Sequence, residues 1–185
     1  LKRADSLLPA GSEVAYDQIC INDADIPAYV NVSGLPSYAD AGSLHTFSGI
    51  MSFEGSESDR ISPWEAVFDA STGSLVSYML GTKELVESPL EPCFGRAAIE
   101  NDLGAGQDRR LAIWRNAELK VASFNIEKAD FCYRVTVEYA PIGEAALVKM
   151  VYDVYADGVI AAKEEMTDAG KLAETIMLPR FGMQF

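Results

Sequence analysis

The strongest constraint on this chain is a period of two. In Arg134-Val135-Thr136-Val137-Glu138-Tyr139, apolar and polar residues alternate, which places Val135, Val137 and Tyr139 on one face of an extended segment. Val148, Met150, Tyr152 and Val154 repeat the pattern, and Ala156-Asp157-Gly158 supplies a turn that returns the chain through Val159 to Met166. Trp64-Glu65-Ala66-Val67-Phe68 alternates into Asp69-Ala70-Ser71-Thr72-Gly73, a second turn, and then into residues 74–80. Lys128-Ala129-Asp130 joins two further runs, 118–127 and 131–140. Residues 16–21, 28–32, 43–54 and 171–185 are also strand-like. Convincing helical periodicity is absent. Short turns between alternating runs give antiparallel neighbours, so the expected fold is an all-β antiparallel sandwich. The missing βα alternation excludes a TIM barrel within this chain.

Charge and length narrow the function classes. The 185 residues carry 28 Asp and Glu against 15 Lys and Arg, a net charge of −13. Such a surface repels phosphate backbones and anionic membranes, so neither nucleic acid nor membrane is an expected partner. No apolar run approaches the roughly 20 residues a bilayer-spanning helix needs. The chain begins at Leu1 and ends at Phe185 in a strand-like run, which reads as a piece of a longer polypeptide.

The side chains that usually carry chemistry are scarce. Cys20, Cys93 and Cys132 stand apart with no CxxC spacing, which argues against both a disulfide framework and a thiolate zinc site. His45 is the sole histidine and lies in an alternating run, where a strand histidine is the expected role. GxSxG, H-E-x-x-H, Walker A and dinucleotide fingerprints are all missing. Asp153 with Asp157, or Asp23 with Asp25, are weak candidates for a metal, and no metal site is expected. Trp64, Trp114, Tyr78 and Tyr133 could form a sugar-stacking platform in an independent carbohydrate-binding module, although strand aromatics more often fill a core.

Residues 88–114 break the hairpin rhythm with two prolines, three glycines and dense charge. A connection of that length inside a compact domain is usually functional. Two readings stand here: a functional loop, or a solvated crossover with Arg96 paired to Asp102 or Glu100.

Within it, Phe94-Gly95-Arg96-Ala97-Ala98-Ile99-Glu100-Asn101-Asp102-Leu103-Gly104 resembles the aromatic-x-Arg-Ala-Pro-x-Asp-Asn-Asp-x-Gly signature of bacterial β-galactosidases, family two glycoside hydrolases. Collinear similarities flank it. They are Phe68-Asp69 with Gly73-Ser74-Leu75-Val76-Ser77, then Gly81-Thr82-Lys83-Glu84-Leu85, Trp114-Arg115-Asn116-Ala117, and Leu178-Pro179-Arg180-Phe181-Gly182. Leu7-Leu8-Pro9-Ala10-Gly11-Ser12-Glu13-Val14-Ala15-Tyr16-Asp17-Gln18 is similar to the last strand of the family's preceding immunoglobulin-like domain. Ala98 stands where the family has proline, Glu100 where it has its first aspartate, and Ser12 where it has a common histidine.

The resemblance implies residues 1–40 as the end of that domain plus a linker, and 41–185 as the N-terminal half of a galactose mutarotase-like supersandwich. It implies hydrolysis of terminal β-D-galactosides by two glutamates on a barrel outside this chain, with no catalytic residue here. Glu164 and Glu165 are adjacent on a presumed strand and point to opposite faces, so they cannot flank one glycosidic bond. The isolated chain is therefore expected to be inactive. An aldose mutarotase is disfavoured because His45 is alone. The resemblance also makes Arg96, Asn101, Asp102 and Gly104 an active-site-adjacent loop that shifts as sugar binds. Arg96 would anchor it to a carboxylate, Asn101 and Asp102 would bond its backbone, and Gly104 would be its hinge, with φ > 0 open to it. The family's enzymes depend on magnesium and sodium, with no cofactor expected in this chain. The implied partners are the rest of the β-galactosidase chain and, in the full enzyme, a galactoside. Unpaired sheet edges predict self-association. The implied location is the bacterial cytoplasm, with the periplasm left open.

Overall fold

The computed structural model describes residues 34–53, 60–171 and 178–185. The strand-like runs at 16–21 and 28–32, the motif at 7–18, Cys20, and Asp23 with Asp25 lie outside the described residues.

Two antiparallel sheets carry the fold. The first is a meander of β1 (Ser37–Ala41), β2 (Leu44–Phe53), β3 (Arg60–Asp69), β4 (Ser74–Leu80) and β5 (Lys83–Glu84), paired in that order. The second contains β7 (Val121–Lys128), β8 (Cys132–Tyr139), β9 (Ala146–Tyr155) and β10 (Ile160–Asp168), again each beside its sequence neighbour. A small third sheet pairs β6 (Glu91–Pro92) with β11 (Met183–Gln184). The chain is an all-β sandwich, as the alternation requires.

The alternating residues become the core. Trp64, Ala66 and Phe68 of β3 are buried, as are Val135, Val137 and Tyr139 of β8 and Val148, Met150, Tyr152 and Val154 of β9. Each sheet covers the apolar face of the other, which removes both faces from water at roughly 25 cal/mol per Å² of apolar surface. Ring contacts join the layers: Phe68 meets Tyr152 edge-on at 5.1 Å between centroids, and Phe47 meets Tyr133 at 5.5 Å. Polar stitches fix the register between them. The Trp64 indole N–H donates to the Ala156 carbonyl at 3.1 Å, and the Tyr78 hydroxyl donates to the Gly158 carbonyl at 2.5 Å. Both acceptors lie in the β9–β10 turn foreseen at Ala156-Asp157-Gly158.

Gly49 makes the first stitch possible. It sits opposite Trp64 in the β2–β3 pair, and a Cβ there would fall 2.6 Å from the Ala156 oxygen and 2.8 Å from the indole nitrogen. Glu84 organises the β4–β5 hairpin in a different way. Its carboxylate accepts hydrogen bonds from the Ser77 hydroxyl and from the Tyr78, Leu85 and Val86 N–H groups at 2.5–3.0 Å. These donors, Ser77 foremost, pull its pKa down to about 2.

Two expectations are corrected. The 171–185 strand shrinks to Met183–Gln184 among the described residues, because Pro179 has no N–H to give a ladder and Gly182 bends the chain at φ +156°. Residues 88–114 are not a plain loop: they hold the helical turns α1 (Glu100–Gly104), α2 (Gln107–Arg110) and α3 (Ala112–Arg115). β1 spans residue 40, and its Ser37–Ala41 pair with Ser48 back to Leu44 of β2.

Two outcomes follow from this packing. Gly49→Ala should destabilise the fold by about 1–3 kcal/mol through overpacking against the Trp64–Ala156 bond, seen as a lower denaturation midpoint. Glu84→Gln should lower the thermal midpoint near neutrality but not in strong acid. Because the folded-state pKa of Glu84 is depressed, its stabilisation is present above about pH 4.5 and is lost as pH falls through about 2. Melting curves of both proteins between pH 2 and 7 measure the convergence.

Candidate functional site

The irregular connection between the two sheets gathers the distinctive sequence stretches. Phe94 is buried and packs edge-on against Trp114 at 6.4 Å between centroids, and it stacks on Phe181 at 6.3 Å. Gly95 lets α3 approach: a Cβ there would lie 2.8 Å from the Arg115 Cα. The Cys93 N–H donates to the Gly182 carbonyl at 2.6 Å, tying the last described segment to the start of the loop. Residues near 95, 115 and 180 thus share one small body, although the chain separates them widely.

An ion pair holds its interior. Arg96 donates from Nη1 to Oδ2 of Asp102 at 2.6 Å and from Nη2 to Oδ1 at 3.0 Å, a two-point fork on one carboxylate. Asp102 is 6% exposed, and its Oδ2 also accepts the Ile99 N–H at 2.9 Å, so it caps the first turn of α1. The Arg96 guanidinium, with the Ile99 N–H second, holds the Asp102 carboxyl below the ordinary carboxylate range. Arg96 Nη1 reaches the Ala97 carbonyl as well, at 3.1 Å. A cleft of about 10 Å³ lies over this pair, lined in part by Ala98, Asp108, Leu111, Arg115 and Pro179. Arg115 Nη2 donates to the Asp108 carbonyl at 3.3 Å across one side of it.

The structure therefore pairs Arg96 with Asp102 rather than with Glu100, which is exposed at the start of α1. Asn101 is exposed beside it. Gly104 ends α1 in open space without positive φ, and the left-handed residue is Gly106, at φ +65°, which separates α1 from α2. The φ > 0 argument made for Gly104 thus applies to Gly106, two residues on. The Gly104-Ala105-Gly106 spacing was the available signal for that break.

Other candidates find structural roles. Trp64 and Trp114 are buried, Tyr78 is bonded to Gly158, and Tyr133 packs on Phe47 and Tyr38. None of the four presents an open stacking platform. His45 Nδ1 lies 2.8 Å from the Tyr38 hydroxyl, and its ring stacks on Phe124 at 5.0 Å between centroids. Cys132 is buried and Cys93 half-buried, both as free thiols. Asp153 takes a two-point fork from Arg134 at 2.7 and 2.8 Å. Glu165 bonds Lys163 at 2.5 Å on the outer face of β10, while Glu164 turns inward. Among the described residues no three His, Cys, Asp or Glu side chains converge, and Asp102 and Asp153 are committed to arginines.

Residues 60–185, which include every part of this site, match the family described as the beta galactosidase small chain. The chain belongs to that family. Among relatives, a β-galactosidase of Halalkalibacterium halodurans is 32% identical over 126 residues, covering 66% of this chain and 12% of that protein. A β-galactosidase of Priestia megaterium is 27% identical over 179 residues, covering 95% of this chain and 16% of that protein. The small-chain segment thus spans less than a fifth of the length of these relatives. The family agrees with the motif order in the sequence. No helix among the described residues is long and apolar enough to cross a membrane.

In this small-chain segment, Asp102→Asn should release the loop without unfolding the sandwich. Limited proteolysis should cut within residues 96–110 several-fold faster than in the parent protein, with the global melting midpoint nearly unchanged.

Proposed function

We propose that this chain is a non-catalytic segment of a β-galactosidase, supporting and gating an active site held on another part of the polypeptide. The observation that carries this reading is the convergence of three resemblance motifs around the Arg96–Asp102 pair. Phe94 to Gly104, Trp114 to Ala117 and Leu178 to Gly182 meet in one cleft, which gives the loop a fixed wall to close against. The parent enzyme would hydrolyse terminal β-D-galactosides with retention. The required pair of carboxylates about 5–5.5 Å apart would come from elsewhere, because Glu164 and Glu165 face opposite sides of β10.

In this reading Arg96 and Asp102 are positioning residues. They set the backbone of α1, and Asn101 and Gly104 lie on its exposed side, where a mobile loop would meet a sugar site. The magnesium and sodium of the parent family are held by other parts of the chain, and the enzyme acts in the bacterial cytoplasm. The outer strands β1, β5, β7 and β10 pair with the remainder of the protein or, in the isolated chain, with further copies of it.

The isolated chain should show no hydrolysis of an aryl β-galactoside and no calorimetric signal with galactose or lactose. In the full-length enzyme, Gly104→Pro should lower turnover several-fold with the fold intact, because proline stiffens the end of α1. Unchanged kinetics in a folded Gly104→Pro enzyme would end the gating role.

A further inference from the structure

One half-buried acid, with its carboxylate oxygens closed off from solvent, plays no part in the site above. β10 is an outer strand of its sheet, held along one side by β9. Its inner row is Ile160, Ala162, Glu164 and Met166, fixed by their opposite partners Val154, Tyr152, Met150 and Val148, all buried. Three of the four are the apolar residues an inner row calls for, and the third is a glutamate. Both Glu164 oxygens are closed off from solvent and lack a hydrogen-bond partner. Lys163 and Glu165 are no help, because they pair with each other on the outer row.

The groups facing Glu164 are polar and poorly satisfied. From β9 comes the Tyr152 hydroxyl, fully buried and unpartnered. From β8 the Tyr139 hydroxyl has one long bond, 3.4 Å to the Gly73 carbonyl. From β6 comes a second carboxylate, Glu91, which acts with Glu164 on the Tyr139 and Tyr152 phenols. Among the described residues no positive charge bears on either phenol or on Glu164. An unpaired buried charge is costly. A neutral carboxylic acid avoids that penalty and carries an O–H that can donate.

We propose that Glu164 is a proton-operated latch on edge strand β10. It holds a proton while the strand is seated on the sandwich, and release of that proton to water loosens the seat. Burial supports this by raising the Glu164 pKa to about 7. The sign follows from linkage. A seated acid that keeps its proton to about pH 7, against about 4.5 when freed, stabilises β10 fully below about 4.5. That contribution falls as pH rises and is gone above about 7.

The test is carboxyl-detected NMR of Glu164 together with amide exchange of β10, corrected for the intrinsic pH dependence of exchange. In the parent chain, Glu164 should titrate near 7. Protection of β10 amides should fall several-fold between pH 5 and 7 while β8 stays protected. Glu164→Gln, a permanent stand-in for the protonated form, should flatten that fall. The Glu164 titration in the parent chain needs no substitution, which keeps the proposal open to refutation should the variant fold poorly. Titration of Glu164 near 4.5, or the same β10 pH profile in Glu164→Gln, would overturn it.

Discussion

Everything in this protein rests on the need of two one-sided sheets to cover each other. β3, from Trp64 to Phe68, and β9 each present an apolar row, and neither row can face water without forfeiting most of the folding energy. Apolar contact alone would let the sheets slide. The Trp64 indole and Tyr78 hydroxyl prevent that, since each finds its acceptor in the β9–β10 turn and nowhere else along the facing strand. Gly49 is the space that lets the indole reach. Directional bonds at one end of a non-directional core therefore set the register on which the inter-sheet connection is hung.

That connection behaves as a small body with its own centre. Phe94, Trp114 and Phe181 give it an aromatic core, and the Arg96–Asp102 fork gives it an electrostatic one. The helical turns α1 to α3 are too short to stand alone, because helix nucleation is unfavourable and four or five residues do not repay it. Their stability is borrowed from the rings and the ion pair.

The sheets were legible in the sequence because alternation over seven to ten residues leaves little ambiguity. β4 agrees with its expected bounds at both ends, and the β9–β10 turn falls on its expected residues. The helical turns were not legible, since no 3.6-residue period can be read across four residues. Arg96 with Asp102 was half legible: the motif named both partners, but the choice against Glu100 depends on the fold of α1 around the Ile99 N–H. The direction of Glu164 could be read from strand alternation. Its neighbours could not, because Tyr139 and Tyr152 come from two other strands and meet it only in three dimensions.

The central claim is that the Arg96–Asp102 body shapes an active site this chain does not contain. The most direct measurement is kcat/KM for an aryl β-galactoside in the full-length enzyme carrying Asp102→Asn, taken beside its melting midpoint. The account predicts a loss of tenfold or more in kcat/KM with the midpoint nearly unchanged. Wild-type kinetics in an enzyme whose loop is demonstrably loosened would contradict it.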